Sequence, residues 1–568
     1  MARNLKNYVS RRVLDLLNHG SFSETEVLKL ASKVEFRKSL DAEFGLWVPA
    51  ECVAECAGLH KPVNCDVVKD QLTTDHIISS VSIVEQSGKP SVVINLNRGM
   101  FMKQILDSQV SAYDSHQKRV VVEFSSPNIA KPIHVGHLRS TIIGNFIANL
   151  HEWFGYDVKR LNYLGDWGPQ FGLVKIGMKM LNPTQEELSS KPLYTLYQAY
   201  VTANAAVEKD PHVYEEAKKL FLNLERGALD DVSDWKLYKK YTVEELMKTY
   251  SRLGIKFDNY SWESDYNANS IGHILELLKS SGHLVHDEEG RSVVNVAGKA
   301  VPILKSDGTT LYLTRDIASA IDRKDKYKFD MMYYLADTSQ HKHFKNLFSI
   351  LSGLDFAWSE NLRHIRFGRV RGMSTRRGEA ILLNDILDEA YHLMIQQQKA
   401  SPNTRVNLQE DLKTADVLGV STIIVADLIH KRRKDYTFDW DSARSMTKNT
   451  GVRLQYTHCR LKSLQEKNNL PTTPECDPSS LTEPEALALL FEISRFDDVL
   501  NRSFNELEAS KLSEYLFTLC DSINKAMLTL RVSGTGKVGE QRLLLFSKAA
   551  VVLHCGMRLM GLTPLDRM

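Results

Sequence analysis

The sharpest candidates for chemistry in this sequence of 568 residues are two histidines three positions apart, His134 and His137. A strand-like run and a Pro-Asn turn precede them, and a helical pattern begins at Val135. A helix N-terminus offers unpaired N–H groups and positive potential, which suit a phosphate group. Gly136 carries no side chain and would let a flat base approach the backbone. The pattern therefore favours a nucleotide site, and a pair of capping or core histidines is the alternative.

A second candidate is the basic stretch 361–378, which contains six arginines and no acidic residue. The guanidinium fork matches phosphate oxygens, so an arginine cluster without carboxylates indicates contacts with phosphate. Gly372 and Gly378 bracket a segment that could close over a ligand. The alternative is a solvated basic loop.

The third candidate combines a phenol with an acid, Tyr312 and Asp316, four positions apart at the start of a predicted helix. This spacing places both side chains on one helical face. Such a face could bind a polar ligand, and a surface pair without function is the alternative.

These candidates need a scaffold, and the order of strand and helix patterns predicts one. Strand patterns at residues 119–124 and 157–163 flank a helical pattern at residues 135–153. Alternation of this kind predicts a parallel α/β sheet. Strand patterns return at residues 330–336 and 364–369, so the sheet is expected to continue there.

The rest of the chain divides into three parts. Residues 172–305 are predicted to form a mainly helical insertion, and residues 384–568 to form long amphipathic helices. Residues 1–115 mix strand and helix patterns and are predicted to form a small α+β unit. Within it, the first twenty residues combine four basic residues, one acid and apolar residues at helical spacing. This pattern fits an organellar transit peptide and the first helix of the unit equally well.

The composition excludes several classes of protein. With 43% hydrophobic and 25% charged residues, the chain is neither disordered nor fibrous as a whole. No run of 18 apolar residues occurs, so a membrane span is not expected. The seven cysteines are odd in number and form no C-x-x-C pair, which predicts reduced thiols and no zinc site.

Taken together, these segments resemble the class I aminoacyl-tRNA synthetases, in particular the arginyl enzymes. Residues 134–137 are similar to the HIGH motif of that class. Further stretches that resemble the arginyl enzymes are residues 122–132, 164–172, 312–316, 372–378 and 454–460. The resemblance extends over residues 119–568, and the last eight residues are most similar to animal mitochondrial members.

The resemblance implies an arginine site, an ATP site and contacts with tRNA. The implied arginine-binding residues are Glu123, Ser126, Pro127, Asn128, His137, Tyr312, Asp316 and Gln340. The implied ATP-binding residues are His134, Gly136, His137, Met373, Ser374 and Arg376. The implied catalytic residues are Lys131, His134 and His137. The implied tRNA-binding residues are Tyr456 and Arg460, and a core position is the alternative for Tyr456.

One motif departs from the family pattern. Where class I enzymes have Lys-Met-Ser-Lys-Ser, this sequence has Gly372-Met373-Ser374-Thr375-Arg376, so both lysines are replaced. Lys131, just upstream of the histidines, resembles the lysine that substitutes for them in arginyl enzymes.

The implied fold class is α/β. A Rossmann-like class I catalytic domain with the helical insertion would occupy residues 116–383, between an N-terminal α+β tRNA-body-binding domain (1–115) and a C-terminal all-helical anticodon-binding domain (384–568). The implied activity is ATP-dependent attachment of L-arginine to tRNA(Arg) through an arginyl-adenylate, with Mg²⁺ accompanying ATP and no membrane partner. We expect a monomer in the mitochondrial matrix, with the cytoplasm as the alternative. The rival classes are a catalytically silent tRNA-binding paralogue and a smaller nucleotidyltransferase with the same histidine motif.

Overall fold

The computed structural model describes residues 3–17, 22–38, 44–59, 63–86, 89–128, 135–225, 229–266, 268–296, 298–306, 311–373, 383–400, 412–468 and 475–568.

The N-terminal part is a four-stranded antiparallel sheet packed against helices. Its elements are α1 (Arg3–Asp15), α2 (Glu24–Ala31), β1 (Glu35–Lys38), β2 (Phe44–Pro49), α3 (Ala50–Cys56), α4 (Cys65–Gln71), β3 (Ile78–Gln86), β4 (Lys89–Leu96) and α5 (Arg98–Asp107). The strand order is β1-β2-β4-β3. Phe44 of the sheet stacks on Phe101 of α5, with ring centroids 4.5 Å apart, so the helix closes one face of the sheet.

Helix α1 is an integral part of this N-terminal unit. Its apolar side chains, which recur at helical spacing, are almost fully buried. Lys6, on the same helix, is also buried and forms an ion pair with Asp498 near the C-terminus of the chain. These contacts fit a first structural helix, and a transit peptide that is removed would leave Asp498 without its cation.

The central part contains the predicted parallel sheet. Its elements are β5 (Arg119–Glu123), α6 (Val135–Trp153), β6 (Asp157–Leu164), α7 (Pro169–Leu181), α8 (Gln185–Ser190), α9 (Pro192–Lys209), α10 (His212–Glu225), α11 (Leu229–Arg252), β7 (Asn259–Trp262), α12 (Ala268–Ser280), β8 (Leu284–His286), β9 (Ser292–Val296), β10 (Lys299–Leu304), α13 (Tyr312–Tyr327), β11 (Met331–Asp337), α14 (His341–Gly353), β12 (Leu362–Phe367) and β13 (Val370–Arg371).

Five of these strands form one parallel sheet in the order β12-β11-β5-β6-β7. Parallel strands buried on both faces read as apolar runs, and residues 120–122 of β5 are three fully buried valines. Helix α6 lies very close to β5, because a Cβ built on Gly144 would stand 2.2 Å from the ring of Phe124. The predicted strand–helix–strand unit and the α/β fold class are thereby confirmed.

The stretch 172–305 differs in part from the prediction of a mainly helical insertion. Helices α7 to α11 extend only to Arg252, and the sheet resumes at Asn259, where β7 pairs with β6. Strands β8, β9 and β10 then form a separate antiparallel sheet. The prediction missed these strands because they are three to six residues long, too short for a clear period of two.

Where the structure describes it, the C-terminal part is helical apart from one two-residue strand. Its elements are α15 (Leu383–Ala400), α16 (Leu412–Leu428), β14 (Tyr436–Thr437), α17 (Trp440–Ala443), α18 (Gly451–Lys467), α19 (Pro484–Ser494), α20 (Phe496–Glu506), α21 (Ala509–Thr529) and α22 (Gly536–Leu559). Strand β14 pairs in parallel with β13, which ties this part to the central one. None of the described helices is both long and apolar enough to cross a membrane.

Candidate functional site

The turn after β5 has an unusual backbone that its neighbours hold in place. Ser125 and Ser126 have φ angles of +70° and +46°, a region that residues with a side chain rarely adopt. The Ser125 N–H donates to Ser140 Oγ of α6 at 3.1 Å, and its hydroxyl lies 2.6 Å from the hydroxyl of Tyr250 in α11. The hydroxyl oxygen of Thr141 in α6 lies 2.8 Å from that of Ser125. This buried network fixes the direction in which the following residues leave the sheet.

Beyond that turn, Pro127 and Asn128 lie against the end of the neighbouring strand β6. The Gly165 N–H donates to the carbonyl of Pro127 at 3.2 Å, and Asn128 forms a bridge with Gly165. A Cβ built on Gly165 would stand 2.0 Å from Asn128 Oδ1, so only glycine allows this approach. The predicted site residues Pro127 and Asn128 therefore sit at the carboxyl edge of the parallel sheet, where ligands bind in open α/β folds.

Glu123, the last residue of β5, is buried and faces a cation. Arg323 of α13 donates to one of its carboxylate oxygens at 2.5 Å, and the Ser126 hydroxyl lies 3.5 Å from the other. Burial raises the pKa of Glu123, the charge of Asp316 raises it further, and Arg323 opposes both. Glu123 was predicted as an arginine ligand, and in the structure its main partner is the protein's own Arg323.

Asp316 and Tyr312 lie in the first turns of α13, with different degrees of burial. The ring of Tyr312 is 57% exposed, whereas the side chain of Asp316 is 22% exposed. The Asp316 carboxylate lies 2.6 Å from Nε2 of His343 in α14. The sequence analysis missed His343, because nothing in a spacing of 27 residues indicates a contact.

Glu263 is a second residue that the sequence analysis missed. It follows β7 directly, and the parallel register places that strand's end at the same edge as the ends of β5 and β6. Burial raises the pKa of Glu263 to about 8, with Arg315 opposing and with Asp316 and Asp166 adding to the rise. Recognising β7 in the sequence would have pointed to Glu263, but a strand of four residues, two of them polar, gives no clear strand pattern.

The backbone that carries Glu263 is anchored to the loop after β6. Ser264 donates from its N–H and its hydroxyl to the buried carboxylate of Asp166, at 3.0 and 2.6 Å. Lys239 neutralises that carboxylate at 3.0 Å. Glu263 is therefore presented by a fixed piece of backbone. The charge of Asp316 acts on both Glu123 and Glu263.

The predicted nucleotide motif lies partly within the described residues. Gly136 and His137 begin α6 and are half-buried, and the carbonyl of His137 accepts a hydrogen bond from Thr141 at 2.6 Å. The predicted residues Lys131 and His134 lie outside the described residues. Helix α6 thus presents the positive end of its dipole at the edge where the turn after β5 emerges.

The arginine-rich stretch has no acidic residue in its own sequence, but in the structure two of its arginines lie near carboxylates from other segments. Arg369 lies 3.8 Å from Asp337, and Arg371 lies 3.5 Å from Asp435. Met373, predicted at the ATP site, is buried in the apolar core. Ser374 and Arg376 lie outside the described residues. The structure thus brings carboxylates from β11 and the chain before β14 to arginines that have none nearby in sequence.

Gln340 completes the set of predicted arginine-site residues that are described. It is exposed, and it is the last residue of a short 3-10 turn between β11 and α14. Because β11 is the strand next to β5, Gln340 leaves the sheet at the same carboxyl edge as Glu123. Within the described residues, no group of three or more His, Cys, Asp or Glu side chains could hold a metal ion.

The two predicted tRNA-binding residues lie on α18. Tyr456 is 39% exposed, and the guanidinium carbon of Arg460 stands 5.8 Å from the centre of its ring. The next residue toward the N-terminus, Gln455, is fully buried and bonds the carbonyl of Thr563 and the N–H of Leu565, both at 2.9 Å. The exposure of Tyr456 does not fit the alternative of a core tyrosine.

Comparisons with known proteins agree with this arrangement. Residues 101–440 match the family model of the class I tRNA synthetases (R), catalytic domain, and residues 454–568 match the DALR anticodon binding domain. The chain is 39% identical over 523 residues to the probable mitochondrial arginine–tRNA ligase of Pongo abelii, covering 89% of each chain. It is 35% identical to the probable cytoplasmic arginine–tRNA ligase of Dictyostelium discoideum, covering 96% of this chain and 98% of that one. The Thermus thermophilus arginyl-tRNA synthetase structure aligns over 100% of both chains, with a TM-score of 0.80 and 21% identity.

Proposed function

The chain belongs to the class I tRNA synthetases of the arginine type, and we propose that it is an arginine–tRNA ligase. It would attach L-arginine to tRNA(Arg) with ATP, through an arginyl-adenylate. The observation that carries this proposal is the set of acidic side chains at the carboxyl edge of the parallel sheet, beside the positive end of α6. A guanidinium needs carboxylate acceptors, and a triphosphate needs a positive helix end, so both substrates find matching chemistry at one edge.

The guanidinium of the substrate would bind between Asp316 and Glu263, with the exposed phenol of Tyr312 at the entrance. Planar carboxylates accept two parallel hydrogen bonds from a guanidinium. Glu123, already paired with Arg323, would contribute negative potential and hold the turn that carries Ser126, Pro127 and Asn128. Gln340 and His137 would bind the remaining polar groups of arginine.

The rate enhancement would come from positioning the substrates and neutralising their charge. The arginine carboxylate would attack the α-phosphorus of ATP in line, diphosphate would leave, and the terminal ribose hydroxyl of the tRNA would then attack the adenylate carbonyl. No side-chain nucleophile is needed, so the residues only orient the substrates and neutralise charge. We assign Lys131, His134, Gly136 and His137 to the ATP phosphates and base, together with Ser374 and Arg376 of the arginine-rich stretch. The side chain of Met373 lies in the apolar core and is left out of this assignment. Mg²⁺ would arrive as the complex of the substrate ATP.

Each of the three parts of the chain would have its own role in the reaction. Residues 116–383 would carry the chemistry, residues 384–568 would bind the anticodon and residues 1–115 the body of the tRNA. On α18 the exposed ring of Tyr456 lies beside the half-buried guanidinium of Arg460, which donates to Asn524 at 2.7 Å, and such a ring suits unstacked bases. We propose that this pair contacts the anticodon loop and that one monomer binds one tRNA.

We propose the mitochondrial matrix as the compartment, since several of the similar sequences are mitochondrial enzymes. The cytoplasm is the alternative, because the similar Dictyostelium enzyme carries that name. The packing of α1 implies that the mature protein keeps residues from Arg3 onward. N-terminal sequencing of protein purified from fractionated cells would decide both points, and a mature terminus beyond Asp15 would contradict the second.

The activity is tested by measuring ATP–diphosphate exchange and aminoacylation with each amino acid, with and without tRNA(Arg). An arginine–tRNA ligase should charge tRNA(Arg) with arginine alone, and its family implies that exchange needs the tRNA. A silent paralogue would bind tRNA(Arg) without exchange. A smaller nucleotidyltransferase with the same histidine motif would use ATP without charging any tRNA.

A further inference from the structure

We propose that His343 is a positioning residue that holds the Asp316 carboxylate in the orientation needed for arginine, an inference that rests on the proposed function above. Nε2 of His343 lies 2.6 Å from Oδ2 of Asp316, and the two side chains are 25% and 22% exposed. A hydrogen bond to one carboxylate oxygen stops rotation of the group. The other oxygen, Oδ1, then faces the substrate in a fixed direction.

The need for such a partner follows from the crowding of negative charge around Asp316. Its charge raises the pKa of both Glu123 and Glu263, so Asp316 disfavours the ionised form of each of these two carboxyl groups. Glu123 is held by Arg323, and Glu263 experiences the charge of Arg315. For Asp316 the structure provides an imidazole N–H, which orients the carboxylate without the strong competing charge of a guanidinium.

His343 is itself held by packing on α14. Its ring meets the ring of Phe344 edge-on, with centroids 5.3 Å apart, and Phe344 in turn packs on Tyr334 of β11 at 5.1 Å. His364 also packs on Phe344, and its Nε2 lies 3.1 Å from the carbonyl of Ala336. His343 therefore has a fixed position from which to donate.

The same hydrogen bond joins two helices that carry proposed arginine ligands. Asp316 lies on α13, and Gln340 directly precedes α14, three positions before His343. This hydrogen bond is one of the direct contacts between α13 and α14 that set the distance between the two ligands. We therefore expect loss of the His343 donor to weaken arginine binding far more than it slows turnover at saturating arginine.

Three variants test this role. His343→Ala removes the ring, His343→Phe keeps an aromatic ring without a donor, and His343→Gln keeps a side-chain N–H. The first two should raise the KM for arginine about tenfold, equivalent to about 1.4 kcal/mol, with kcat changed less than about twofold. His343→Gln should restore most of the affinity. Lys345→Ala, an exposed position on the same helix, is the matched control and should leave KM unchanged.

A second measurement separates positioning from a merely structural role. In the background of Asp316→Asn, whose own KM for arginine should rise, His343→Phe should add little, because the two residues act as one unit. Melting temperatures identify any variant that fails to fold. If His343→Ala or His343→Phe fails to fold, the other one is enough for the comparison with wild type.

The outcomes are distinct. If Asp316→Asn raises the KM and His343→Phe does not, the positioning role is overturned while the proposed function stands. The role is also overturned if the effects of the two substitutions add in full, or if His343→Gln is as impaired as His343→Phe. If the wild type fails to charge tRNA(Arg), or if Asp316→Asn leaves the KM unchanged, the proposed site fails and this inference fails with it.

Discussion

Arg139, on the helix that carries His137, forms a buried ion pair with Asp427 of α16, with 3.0 Å between Nε and Oδ1. The same guanidinium donates to the carbonyl of Gly368 at 2.7 Å and to that of Lys434 at 2.9 Å. One side chain therefore joins the histidine helix, the arginine-rich stretch and the C-terminal helices. This junction ties the N-terminal half of α6 to both other segments.

Arg139→Met should destabilise the protein in a pH-dependent way. Burial raises the pKa of Asp427 to about 6 even with Arg139 present, so the folded protein holds this proton more tightly than the unfolded chain. The contribution of Asp427 to stability is therefore complete below about pH 4 and is lost as the pH rises through about 6. Without Arg139 the ionised carboxylate is uncompensated, and we expect a loss of about 3–5 kcal/mol at pH 7. The loss should be smaller at pH 5.

Urea denaturation at both pH values measures this effect. The double variant Arg139→Met/Asp427→Leu should recover most of the stability, because neither charge is then left buried alone. Asp521→Asn breaks a pair with Arg453 in which Asp521 is exposed, and it should cost less than about 1 kcal/mol. A loss in Arg139→Met that is equal at pH 5 and pH 7 would contradict the account.

Lys6→Met tests whether the buried ion pair with Asp498 anchors α1 to the rest of the fold. The substitution removes the cation from the buried carboxylate of Asp498. The backbone N–H of Phe36, which donates to this carboxylate at 3.1 Å, stays in place. We expect a loss of about 3–5 kcal/mol in the free energy of unfolding at pH 7. Arg11→Ala on the same helix is the control, because its pair with Glu24 is exposed and should contribute less than about 1 kcal/mol. Equal stability of the two variants would show that the Lys6–Asp498 pair does not hold α1 in place.

The parts of the fold that could be predicted from sequence are those with long periodic patterns. The helix Val135–Trp153 and the strands β5 and β6 were predicted almost to the residue, because apolar runs and a Pro-Asn break mark them. Strand β7 was missed, since all four of its residues are half-buried at the sheet edge and two are polar. Missing β7 also meant missing Glu263.

The candidate site shows a second limit, which concerns contacts between distant residues. Glu123 is paired with Arg323, 200 positions away, and Asp316 with His343, so neither carboxylate is as open as its sequence neighbourhood suggests. Spacing along one helix or strand identifies residues on a shared face. It cannot identify partners that only the packing of α13 and α14 brings together.

Arginine binding should release a proton from Glu263. At pH 7 this carboxyl, with its pKa raised to about 8, is mostly protonated in the free protein, and a bound guanidinium favours the ionised form. Affinity for arginine should therefore rise with pH up to about 8 and then level off. Because the folded protein holds this proton from about pH 4.5 to 8, the same group lowers the free energy of unfolding as the pH rises through that window.

Calorimetric titration in buffers of different ionisation enthalpy measures the proton directly. Glu263→Gln should bind arginine more weakly and lose the proton release, whereas the exposed Glu289→Gln should behave as wild type. Binding with the same heat in every buffer, or with the same affinity at pH 6.5 and 8.5, would remove Glu263 from the arginine site.

Tyr456→Ala should weaken tRNA binding and leave the fold intact. The ring is exposed and lies beside Arg460, so it can stack on an unpaired base, which is worth about 1–3 kcal/mol. We expect the KM for tRNA(Arg) to rise at least about fivefold, with a melting temperature near that of wild type and a changed preference among anticodon variants. Gln455→Ala is the neighbouring control: it removes buried hydrogen bonds to Thr563 and Leu565 and should lower the melting temperature. If Tyr456→Ala lowers the melting temperature but still discriminates anticodon variants as wild type does, the residue stabilises the helical domain and does not read the anticodon.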